Sequence, residues 1–83
     1  MDLKDTIEMM NSPDYKERFK AEFLQLKIRQ MKLYNMLVKY KAGTLDFGPR
    51  CSFDLLYEQC QAMGRYILLL EARAQIEGID LWN

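Results

Sequence analysis

Residues 53–77, FDLLYEQCQAMGRYILLLEARAQIE, decide the fold. Within them Phe53, Leu56, Cys60, Met63, Ile67, Leu70 and Ala74 follow alternating steps of three and four without a fault. That spacing puts one apolar seam on one side of an α-helix, in the heptad pattern that packs against a second helix. Ser52 is placed to cap the N-terminus, Asp54 suits the positive end of the helix dipole, and Gly78 supplies the stop.

The partner lies upstream. Over residues 13–41, Phe19, Phe23, Leu26, Leu33, Leu37 and Tyr40 make a similar seam, interrupted once by Gln30. Ser12 can cap this helix, and Pro13 fits a first turn where its missing N–H costs nothing. Asp14 and Glu17 stand at the start, Lys39 and Lys41 near the end, and Gly43 follows. At 1.5 Å per residue such a helix is roughly 43 Å long. Thr44 to Cys51 is a connector short enough for an antiparallel pair, and its Leu45 and Phe47 are expected to pin it to the hairpin end. Asp2 is a plausible cap for a short helix over residues 3–10, with Leu3, Ile7 and Met10 on one stripe. Two turns do not persist alone in water, so this piece must dock. The reading is all-α: a short N-terminal helix (3–10) followed by a long antiparallel helical hairpin (13–41 and 53–77). A tail, 78–83, folds back, and 1–83 forms a single helical domain.

The chain of 83 residues is 49% hydrophobic, more than one hairpin seam uses. A second stripe on the long helix, Leu24, Ile28, Met31 and Val38, lies about 100° or more from the first. Leu55, Tyr66, Leu69 and Ile76 stand outside the seam of the other helix. The N-terminal helix, the tail or another chain must cover them, and a homo-oligomer is expected.

Composition excludes several functions. Lys plus Arg number 12 and Asp plus Glu number 12, so the large basic excess of a nonspecific nucleic-acid binder is missing. The first residues have no apolar core for a signal peptide, and no run of about 18 apolar residues predicts a membrane span. Cys51 and Cys60 lie about 13 Å apart along a helix, too far for a bridge, and match no zinc spacing. Cys60 falls on the core seam as a small buried residue. The sequence has no histidine, which removes the commonest general base and leaves a cysteine nucleophile without its partner. No enzyme and no cofactor are expected. The helix carboxylates read as solvated faces and ion pairs such as Asp14 with Arg18 and Arg73 with Glu77.

Candidate ligand contacts are aromatic–basic neighbours: Tyr15, Lys16, Arg18 and Lys20 on the long helix, Arg65 and Tyr66 on the other. An aromatic face stacks a nucleobase while Arg or Lys meets phosphate. The same residues also serve as ordinary rim residues of a hairpin.

Three stretches carry a family resemblance: Tyr15 to Glu22 (YKERFKAE), Met36 to Phe47 (MLVKYKAGTLDF) and Leu70 to Gly78 (LEARAQIEG). They resemble small helical proteins related to those of crAss-like phages, over roughly residues 13–81. In general shape the chain is more distantly similar to the helical hairpins with which phages sponge the nucleotide signals of CBASS and Thoeris immunity. The resemblance implies an anti-defence protein in the cytoplasm of the infected bacterial host, an oligomer holding a cyclic-nucleotide-type signal. In those sponges an aromatic before the long helix stacks a base and a lysine on it meets phosphate. Here the residues before Ser12 are Glu8, Met9, Met10 and Asn11, and Tyr15 with Lys16 or Lys20 are the nearest counterparts. Other classes fit the same sequence: a protein–protein inhibitor of a defence effector such as a CRISPR nuclease, or a structural or regulatory phage protein.

Overall fold

The cap residues set where each helix begins. In the computed structural model, which describes residues 1–82, Asp2 accepts the Leu3 N–H while its own N–H goes to Asp5, each at 2.8 Å. This capping box starts a 3-10 turn, Leu3–Thr6, that runs into one α-helical turn, Ile7–Met10 (α1). Of the two turns expected as one α-helix, the first winds more tightly. Thr6 is fully buried there, its hydroxyl donating to the Leu3 carbonyl at 2.7 Å, three residues back.

The long helix, α2, spans Tyr15–Ala42 and its cap is Asp14, whose carboxylate accepts from Lys16 N–H at 2.9 Å. Ser12, the expected cap, instead accepts from Asp14 N–H at 3.0 Å. It closes the turn ahead of the helix, and Pro13 stays outside. The expected Asp14–Arg18 ion pair gives way as well: Arg18 donates to the Ser12 carbonyl at 2.8 Å. The third helix, α3, spans Phe53–Glu77 with Ser52 as cap. Gly43 and Gly78 end α2 and α3 at φ of 77° and 69°, left-handed conformations that an L side chain resists.

α2 and α3 pack as the antiparallel pair, and the core sits where the seams meet the tail. Phe19, Phe23, Ile67, Leu70 and Ala74 join Ile79 and Leu81, which fold back over the open end of the hairpin. Trp82 meets Phe23 edge-on with ring centroids 5.3 Å apart. Asn83 lies outside the described residues. Cys60 is buried and Cys51 exposed.

The N-terminal segment docks on its own chain. Thr6 accepts from Gln25 at 2.9 Å, Asp2 pairs with Lys32 at 3.5 Å, and Ala21 is buried. Leu24, packed against the core cluster, and Ile28 are half-buried, while Met31 and Val38 remain exposed. Phe47 does not pin the connector. It is exposed and, with Tyr40, Leu45 and Pro49, rims a hollow at the hairpin end. On its other side it borders a cleft with Lys32, Asn35, Met36 and Lys39 of α2, a mostly polar wall that does not enclose the ring. Among the described residues, no helix is long and apolar enough to cross a membrane.

Candidate functional site

The antiparallel register brings the start of α2 against the end of α3, and this collects a polar cluster at the open end of the hairpin. Tyr15 donates its hydroxyl to Glu77 at 2.9 Å and accepts from Arg73 at 2.9 Å. Arg73 also holds Glu77 through Nε at 3.2 Å, a helix-spaced pair, and lies over the Phe19 ring at 4.9 Å from its centroid. Two helical turns away, Tyr66 donates to the Glu22 carboxylate.

Both phenols are therefore pushed up from the ordinary value of 10.0. For Tyr15 the leading cause is the hydrogen bond to Glu77 and then desolvation. For Tyr66 it is the bond to Glu22 and then desolvation. A phenol whose folded pKa is raised binds its proton more tightly in the fold. Its stabilising contribution is complete below the unfolded value and is lost as pH climbs through the folded one. Alkaline absorbance titration is expected to show late-ionising components that Tyr15→Phe and Tyr66→Phe each remove. Removal of an ordinary component instead would mean that these bonds do not form in solution.

The six residues singled out from sequence do not form one site. Tyr15 and Tyr66 join the polar cluster through Arg73, Glu77 and Glu22. Arg18 is occupied with the Ser12 carbonyl. Arg65 is exposed on α3. Lys16 and Lys20 lie round the other side of α2, lining a cleft of about 370 Å³ with Met9, Gly78, Ile79 and Asp80. A step of one or five residues turns a helix by about 100–140°, so neighbours in sequence part company in space. Arg73 and Glu77 were readable as an ion pair; their meeting with Tyr15 depends on register.

A second site went unread in the sequence. At the hinge end, Tyr34, Leu37, Val38, Lys41 and Ala42 of α2 face Phe53 and Tyr57 of α3 across an open apolar groove of about 360 Å³. Phe53 and Tyr57 stack nearly parallel, 11° apart in plane with centroids at 5.9 Å, and Tyr40 meets Phe53 edge-on. Lys41 holds its ammonium 5.5 Å from the Phe53 centroid. Aromatic walls beside one cation can take a flat ring and an attached anion. No group of three or more His, Cys, Asp or Glu suited to a metal ion occurs among the described residues.

The family model described as Sequestin matches residues 13–76, which takes in α2, the connector and nearly all of α3. No curated protein and no solved structure matches the chain.

Proposed function

Because the chain belongs to the Sequestin family, whose name denotes sequestration, we propose that it binds and withholds a nucleotide-type immune signal without chemically altering it. The observation that carries the ligand class is the hinge groove, with Tyr34, Phe53 and Tyr57 as walls for a base and Lys41 at its rim for phosphate. Base stacking on an aromatic contributes about 1–3 kcal/mol per base. The Tyr15–Arg73 cluster is the less suitable pocket, since its hydroxyl and guanidinium are already engaged by Glu77. Non-enzymatic action accords with a chain that has no histidine. The reading carries with it the phage anti-defence role in the host cytoplasm and assembly into a homo-oligomer, with cyclic di- or trinucleotides or ADP-ribose derivatives as the signal.

Isothermal titration of the intact protein against these nucleotides tests it. Binding heat is expected with at least one, and Lys41→Ala is expected to weaken it about tenfold, the loss of one charge-assisted phosphate contact at about 1.5 kcal/mol. Absence of heat with every one of them would end the sequestration reading for nucleotides. One feature favours a protein target instead. Leu55, Leu69 and Ile76 make an outward stripe on α3, with Ile76 84% exposed. A stoichiometric protein captured from host lysate by wild type, and lost on Ile76→Glu, would support an inhibitor of a defence effector such as a CRISPR nuclease.

A further inference from the structure

One long face of the hairpin is apolar and uncovered. Met31, Tyr34 and Val38 of α2, Tyr57 and Leu68 of α3 and Trp82 of the tail are each 47–67% exposed. Their placement on one face follows from three observations. Tyr34, Val38 and Tyr57 line the hinge groove together. Trp82 lies under Lys27 and beside Glu71. Positions 27, 31, 34 and 38 on α2, and 57, 64, 68 and 71 on α3, are steps of three, four and seven that keep to one side of a helix. A monomer seldom leaves so large an apolar band in water.

We propose that a second copy of this chain covers this face, with the two-fold axis running parallel to the helices. The proposal rests on the oligomeric part of the sequestration reading and on none of its ligand chemistry. Two features choose the occupant. The first is size: the rod measures 43 × 24 × 19 Å, so its broad face spans at most roughly 1,000 Å² per copy, room for the ~800 Å² per partner of a stable interface. The second is charge. The α2 border of the band carries Lys20, Lys27 and Lys41, whereas the α3 border carries Asp54 and Glu71, with Arg65 at its outer edge as the one base. A two-fold parallel to the helices sets α2 of each copy against α3 of the other. Lysines then face carboxylates, and every adjacent pair in the resulting four-helix bundle is antiparallel. An axis perpendicular to the helices and lying in the face would stack α2 on α2 and lysine on lysine, which repels. In the favoured arrangement hinge meets hinge, and the two aromatic grooves lie at the junction.

Sedimentation and light scattering on the full chain test this. Wild type is expected at two chains or an even multiple. Leu68→Glu, at a position already 64% exposed, is expected to at least halve the mass while the helical circular dichroism is unchanged. Lys27→Glu and Glu71→Lys are each expected to weaken association several-fold, and together to restore it. A monomeric wild type, an unchanged mass in Leu68→Glu, or a double variant no better than either single one would overturn the proposal. Failure here and failure of sequestration are separable. A paired protein that takes up no nucleotide removes only the ligand reading; a monomer that binds one removes only the pairing.

Discussion

Phe23→Ala is expected to cost about 3–5 kcal/mol of folding free energy, the range for removing a large buried aromatic and leaving a cavity. Phe23 is 0% exposed and lies where both helices and the tail meet. It also loses its edge-on contact with Trp82. A chain of this length has a total stability of only about 4–12 kcal/mol, so most of the margin goes with one side chain. Urea unfolding followed by circular dichroism at fixed protein concentration reads the change, because association would otherwise shift the midpoint by mass action. Phe47→Ala serves as the control. Phe47 is as large and is exposed on the connector, and its loss is expected within about 0.5 kcal/mol. A Phe23→Ala effect below about 1 kcal/mol would mean that the tail and helices do not close over this ring.

The contrast between Phe23 and Phe47 shows what periodicity can and cannot say. Phe23 was legible because it stands four residues after Phe19 and three before Leu26, so helix geometry assigns its face. The seam on α3, the Ser52 cap and the two glycine stops were legible on the same local grounds. Phe47 was misread because a connector has no period; apolarity there does not say whether a slot exists to receive it. The cap of α2 moved from Ser12 to Asp14 because two adjacent good capping residues compete, and Pro13 between them suits either side.

The site was less legible for a related reason. Tyr15–Arg73 and Tyr34–Tyr57 are contacts between residues far apart in sequence, and each depends on the register of α2 against α3. A shift of one heptad would keep both seams intact and break both contacts. The aromatic–basic neighbours Tyr15 and Lys16, and Arg65 and Tyr66, are adjacent along the chain, which on a helix turns them about 100° apart. Tyr34 and Tyr57 were passed over because each falls just outside its seam, where a residue lines a groove rather than filling a core.

Ending the chain after Gly78 is expected to cost about 3–6 kcal/mol, the sum of unburying Ile79 and Leu81 at about 1.5–3 kcal/mol each. Both are buried, at 8% and 5% exposure, and together with Trp82 they cover the open end of the hairpin on the side of Phe23. The helix stop survives, since Gly78 donates its own N–H to the Ala74 carbonyl; what is lost is the layer over the aromatic core. The double variant Ile79→Ser, Leu81→Ser separates side chains from backbone, because it keeps the 2.9 Å bond from Ile79 N–H to Ala74. It is expected to lose nearly as much. Trp82→Ala should lose far less in the isolated chain, Trp82 being 67% exposed. Measuring all three in the Leu68→Glu background removes any contribution from association, so the unfolding midpoints report the hairpin alone. If truncation left the midpoint within 1 kcal/mol of the parent, the tail would be an ornament on a self-sufficient hairpin. The two-helix core would then have to hold Phe19 and Phe23 by some other cover.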